Sequence, residues 1–174
     1  VLALVIVLPD GLDAQNKYVG VKQCSICHKT EKQGKQFDIW KASSHAGAYT
    51  TLTSDASKKI AKEKGLTKPP TEAPECLECH TLGATVDAKL FDKMFDIKDG
   101  VQCETCHGAG SAYKTNAVMK DRAKAIAAGM REFKDEAAIE AYCKTCHNPK
   151  SPTYKEFKFK EMYVKIAHPV PAKG

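Results

Sequence analysis

Aromatic side chains make up only 7% of this 174-residue chain, and a single tryptophan is among them, which excludes a core built chiefly on aromatic rings. The longest unbroken apolar run is Val1–Leu8, well short of the roughly 20 residues that a membrane-spanning helix needs. No long stretch alternates apolar and polar residues, which excludes an all-β sandwich or barrel. Histidine (six) and methionine (four) are scarce. Charge of one sign is not in large excess: 27 Lys and Arg stand against 21 Asp and Glu. What the chain does have is eight cysteines, and their placement is not scattered.

Every cysteine falls in one of four copies of Cys-x-x-Cys-His: Cys24–His28, Cys76–His80, Cys103–His107 and Cys143–His147. This is the attachment signature of c-type haem, in which two thiols bind the porphyrin vinyl groups and the next imidazole ligates iron. Zinc ribbons also use paired Cys-x-x-Cys. The spacers here are long and unequal, however, and a four-cysteine ribbon has no use for a following histidine. Disulfides suit an exported chain but leave the histidines unexplained. Four motifs imply four covalent haems and their irons, held by Cys24, Cys27, Cys76, Cys79, Cys103, Cys106, Cys143 and Cys146, with His28, His80, His107 and His147 as proximal ligands.

Four haems in 174 residues leave about 43 residues for each, too few for a conventional protein-only core. The expected fold is therefore mainly α with long loops, a multihaem cytochrome c fold wrapped around four closely packed haems. The formal charge of +6 shrinks once propionates are counted. At roughly −1 per ferric and −2 per ferrous haem, the total is about +2 oxidised and −2 reduced. That makes nucleic acid a poor partner; the lysines solvate the surface, neutralise propionates or steer a redox protein. Haem attachment to these motifs happens outside the cytoplasm, so export to the periplasm or beyond is expected. Val1–Leu8 reads as the end of a signal-peptide apolar region, with Leu12-Asp13-Ala14 as a cleavage site. Residues 1–14 are thus set apart from one tetrahaem domain over 15–174. A retained N-terminal segment would mean membrane contact or a neighbouring subunit.

Periodicity predicts helices over Glu31–Ser43, Ser54–Lys64 (Ser54 as N-cap, Gly65 as stop), Val118–Gly129 and Asp135–Tyr142 with Asp135 as N-cap. Lys68–Pro74 reads as an extended linker and Asn148–Thr153 as a turn. Ala84–Gly100 reads as a mixed loop with room for a short hairpin, and Phe157–Ile166 as a final helix or extended arm.

The sixth ligand decides what each haem does: a second His gives a low-spin, low-potential carrier, Met raises the potential, and an open position admits ligands. Only His45 and His168 lie outside the motifs, so at most two haems are bis-His within one chain. Both are candidate distal ligands. Of Met94, Met119, Met130 and Met162, the favoured further ligand is Met119.

The chain resembles the cytochrome c-554 family of tetrahaem cytochromes. The likeness rests on Cys24–His28, Trp40 with Ser44-His45-Ala46, Gly100–Gly110 around the third motif, Cys143–His147, and Phe157–Met162 with His168. It runs from about Tyr18 to Pro171. The resemblance implies a mostly helical fold with haems in stacked and tilted pairs, His45 capping the iron of His147, His168 capping that of His107, and an open five-coordinate haem on His80. The turn around Pro152, Thr153, Tyr154 and Phe157 is expected to border that open face. One departure stands out. The family's first haem takes its distal His from a segment after the third motif, here Ser111–Asp121, which has none; Met119 is the nearest competent group.

The functional expectation is an exported electron carrier between a redox partner, in the family a multihaem oxidoreductase, and a downstream acceptor. Two alternatives remain: binding or reduction of nitric oxide or a related nitrogen oxide at the His80 haem, and a subunit of a haem-lined filament or membrane-attached relay.

Overall fold

The computed structural model describes residues 15–170. The signal-peptide reading of residues 1–14 and the end of the family likeness at Pro171 lie outside them. The described residues form ten short helices: α1 Val21–His28, α2 Gln36–Ala42, α3 Ala48–Thr51, α4 Asp55–Glu63, α5 Pro74–His80, α6 Cys103–His107, α7 Asn116–Met119, α8 Arg122–Ala127, α9 Glu136–Cys143 and α10 Phe159–Tyr163. The only extended pairing among the described residues is a single bridge between Tyr18 and Phe91. No helix there is long and apolar enough to cross a membrane.

Helices of this length are not stable alone, so tertiary anchors must hold them. Apolar burial supplies few: among the described residues the buried hydrophobic ones are Val19, Val21, Leu52, Ala61, Ala73, Leu82, Tyr113, Ala125 and Phe159, three of them alanines. The anchors are instead side chains that capture distant backbone. Glu104 accepts from the N–H groups of Val19, Gly20 and Gly110 at 2.7–2.8 Å. Gln102 accepts from Val21 N–H at 2.9 Å and donates to the Asp96 carbonyl at 2.7 Å. Together they moor the approach to α1 onto α6. The Trp40 indole donates to the Val101 carbonyl at 2.8 Å, tying α2 to the same region.

Local signals account for several boundaries. The Ser54 hydroxyl accepts from Ser57 N–H at 3.2 Å at the start of α4, and Gly65, at φ 68°, follows its end. The Asp135 carboxylate accepts from Ala138 N–H at 2.8 Å at the start of α9. Two expected helices are divided. Glu31–Ser43 breaks at Gly34 and Lys35, both left-handed at φ 92° and 51°. Val118–Gly129 is interrupted before Asp121, whose carboxylate accepts from Lys124 N–H at 3.1 Å and restarts the chain as α8. The 84–100 region makes no hairpin. Asp87 and Asp96 each accept the N–H two residues on, at 3.0 and 2.9 Å, and so favour short 3-10 turns over strands.

Gly100 stands at φ 73°, and a Cβ there would meet the His45 carbonyl at 2.5 Å; the same carbonyl accepts from Val101 N–H at 3.0 Å. Gly47, at φ −89°, has only an ordinary contact 3.8 Å away. Gly100→Ala is therefore expected to destabilise the protein by about 1–3 kcal/mol. Gly47→Ala should be neutral or stabilise it by about 0.4–1 kcal/mol. Urea unfolding of the two variants side by side checks both.

Candidate functional site

On a helix, residues i, i+3 and i+4 share one face, so Cys-x-x-Cys-His in helical form presents both sulfurs and the imidazole together. The first three motifs end their helices: α1 at His28, α5 at His80 and α6 at His107. The fourth begins at the end of α9 and continues as a helical turn, with His147 N–H donating to the Cys143 carbonyl at 3.0 Å. All eight cysteines are unpaired by disulfides. Among the described residues no group of three or more His, Cys, Asp or Glu converges as a zinc site requires.

His45 and His147 face one another with ring centroids 6.0 Å apart, and His107 and His168 with centroids 5.8 Å apart. Two imidazoles on opposite sides of one metal, with metal–nitrogen bonds of about 2 Å and each nitrogen about 1 Å from its ring centre, stand about 6 Å apart. The spacing of both pairs matches that span, and they are the pairs that the family resemblance joins. Burial lowers the pKa of all four rings, that of His107 to about 4. They are thus neutral at neutral pH, the form that binds metal.

His28 and His80 are in neither pair. Each has its Nδ1 engaged: His80 with the Ala48 carbonyl at 2.8 Å, and His28 with Gln36 Oε1 at 3.3 Å. A Nδ1–H donated in this way fixes the tautomer and leaves Nε2 as the ligating nitrogen. Gln36 also donates to the Pro169 carbonyl at 3.0 Å, so one buried amide touches both the first motif and the residue after His168. Met119 closes α7, which packs on α8, whereas α1 packs on α2 and α6. Phe157, expected with its turn to border the His80 haem, stacks on His147 with centroids 4.6 Å apart and planes 15° apart.

The motif sulfurs also approach one another. The neighbouring Cys103 thiol and burial push the Cys24 thiol up. Burial and then the nearby Cys146 raise Cys79 to about 11, and burial and then Cys143 raise Cys106 to about 11. A sulfur joined to haem would be a thioether without a proton. A crevice of about 220 Å³ opens beside Cys79 and Cys146, lined also by Thr81, Thr105, Tyr142 and Lys150. The buried Thr105 hydroxyl there has no hydrogen-bond partner.

Gln36, Glu104 and Arg131 carry no sequence signal. Each acts on groups distant in the chain, and an isolated Gln, Glu or Arg is ordinarily a solvated side chain.

The family model described as Cytochrome c554 and c-prime matches residues 23–108, which include the first three motifs. The cytochrome c-554 of Nitrosomonas europaea is 29% identical over 147 residues, covering 79% of this chain and 60% of that relative. The match thus spans less than two thirds of the relative's length. No solved structure matches the chain.

Replacing Gln36 by Leu removes the acceptor at His28 Nδ1 and the tether to Pro169. With the acceptor gone the imidazole is a weaker donor to iron, so the potential of the haem on His28 should rise. Unfolding should become easier by about 1–3 kcal/mol, since buried partners are left unpaired. Potentiometric titration and urea denaturation of Gln36→Leu test both effects.

Proposed function

The chain is a relative of the cytochrome c-554 family, and on that premise we propose that it is an exported tetrahaem electron carrier. One observation carries the reading: the motifs lie against one another in the order first, third, fourth, second, with α1 packed on α6, the Tyr142 hydroxyl donating to the Thr105 carbonyl, and Cys146 and Cys79 lining one crevice. Haems tethered at those motifs would form an unbroken row from the His28 site through those of His107 and His147 to that of His80. A row of this kind conducts electrons without a substrate pocket. Bound haem supplies the one-electron chemistry of iron; the chain supplies attachment, ligation and spacing. His45 and His168 cap the irons of His147 and His107 in this reading, and each makes a low-spin carrier. Met119 is the proposed sixth ligand for the His28 haem and would raise its potential. The donor is a redox protein, by family likeness a multihaem oxidoreductase, and the acceptor lies downstream.

A second reading is favoured by one observation. The two spare histidines are drawn to other motifs, and His80 is held by the Ala48 carbonyl with no imidazole facing it among the described residues. Its iron would be open and would bind nitric oxide when reduced. The threonines, Tyr142 and Lys150 of the neighbouring crevice are groups able to deliver a proton.

Haemochrome quantification should give four haems per chain. Electron paramagnetic resonance of the oxidised protein should show one high-spin ferric haem beside low-spin signals, and His45→Ala and His168→Ala should each convert one more haem from low to high spin. An unchanged spectrum in either variant removes that ligand assignment. Met119→Ala should lower the highest-potential couple; no shift removes Met119. An all-low-spin wild type that does not bind nitric oxide removes the second reading and leaves the carrier.

A further inference from the structure

Glu104 lies inside the third motif, between Cys103 and Cys106, and is 1% exposed. Its carboxylate makes three bonds to backbone N–H groups, at Val19, Gly20 and Gly110. Burial raises its pKa, and the three N–H donors pull it back toward the ionised form. Short N–H bonds to both oxygens are those of a carboxylate. The charge acts on Cys24 as well as Cys103, the attachment sulfurs of the first and third motifs. Lys114 is the cation that acts on it across space.

On the far side of the same motif stands Arg131. Its guanidinium donates to the Thr105 and Cys106 carbonyls at 2.8 and 3.1 Å and lies 4.4 Å from the ring centre of Tyr142, the residue before Cys143. Its backbone N–H donates to the His107 carbonyl at 2.8 Å. The third motif thus has a fixed anion toward the first motif and a fixed cation toward the fourth.

An oxidised haem carries one more positive charge than a reduced one, so a nearby anion favours the oxidised form and a nearby cation the reduced form. We propose that Glu104 and Arg131 are a pair of opposite tuning charges across the third motif. Glu104 lowers the potentials of the haems on His28 and His107, and Arg131, seated on the third motif and beside Tyr142, raises those of the haems on His107 and His147. Each transfer along the row oxidises one iron and reduces the next by a single electron, with no proton moved; the external donor and acceptor are redox proteins. The pair lowers the His28 end relative to the His147 end and so offsets part of the rise that Met119 ligation would give the His28 haem. Glu104 is the stronger member because it is buried, while Arg131 is exposed and its field is screened by water and salt.

This inference rests on the tetrahaem reading, so the test begins with haem content of the full chain. Fewer than four haems overturns that reading itself. With four present, potentiometric titrations followed by paramagnetic resonance read each couple, assigned through His45→Ala and His168→Ala backgrounds. Glu104→Gln should raise the His28 and His107 couples, changing the reduction equilibrium about tenfold, which is about 59 mV for one electron. Arg131→Gln should lower the His107 and His147 couples by less, and the shift should fade as salt is added. Glu104→Asp keeps the charge and should leave the potentials near wild type even where stability drops. Loss of packing alone would move the couples of both neutral variants in one direction, so opposite signs are the signature. Equal shifts in Glu104→Asp and Glu104→Gln, shifts of one sign, or no shift overturn the proposal. Should Glu104→Gln not fold, the exposed Lys114→Gln serves instead: it should lower the His28 and His107 couples, and unmoved couples overturn the proposal.

Discussion

One buried carboxylate gathers three backbone N–H groups from two distant stretches of chain, and the arrangement of the first and third motifs follows from that capture. A protein with so few large buried apolar residues cannot position its helices by packing alone. Polar side chains that hold specific backbone atoms do the positioning here. Such bonds are directional where hydrophobic burial is not, so they fix relative orientation as well as proximity. Glu104 and its neighbour Gln102 act on consecutive N–H groups, Val19 to Val21, and that pins the register of the segment entering α1.

The imidazoles extend the same logic. Two are anchored through Nδ1 by the chain's own carbonyl or amide oxygens, and four are arranged as two facing pairs. The anchored ones need no partner ring to fix their orientation, so their far sides can be left to other groups or to none. The facing ones come from segments far apart in sequence, and whatever joins them also joins the fold.

How much was legible beforehand depended on whether a property was local. The four attachment motifs, the caps at Ser54 and Asp135 and the mainly helical character are local, and could be read from consecutive residues. The pairing of His45 with His147 and of His168 with His107 was not local; it came from resemblance to a family, and composition could only bound how many such pairs exist. The divided helices were missed because apolar spacing continues across Gly34 and across Lys120-Asp121 while the backbone does not. Met119 was chosen as the nearest competent group in sequence, and α7 packs on α8 rather than among the main partners of α1. Phe157 was set near the His80 haem by family resemblance, and its stacking on His147 is a tertiary contact that no consecutive residues announce. Gln36, Glu104 and Arg131 escaped notice altogether, because their importance lies in what they touch.

The segment carrying His168 is seated against the second helix region: Gln36 donates to the Pro169 carbonyl, and a Cβ on Gly34 would meet the Pro169 ring at 2.9 Å. This has a consequence for biogenesis. His107 and its motif are synthesised well before the residues that face it, so the two rings meet only once a late segment has docked onto an early one, through a glycine with no side chain and a single amide. A side chain at position 34 would therefore delay the last step of folding rather than the first.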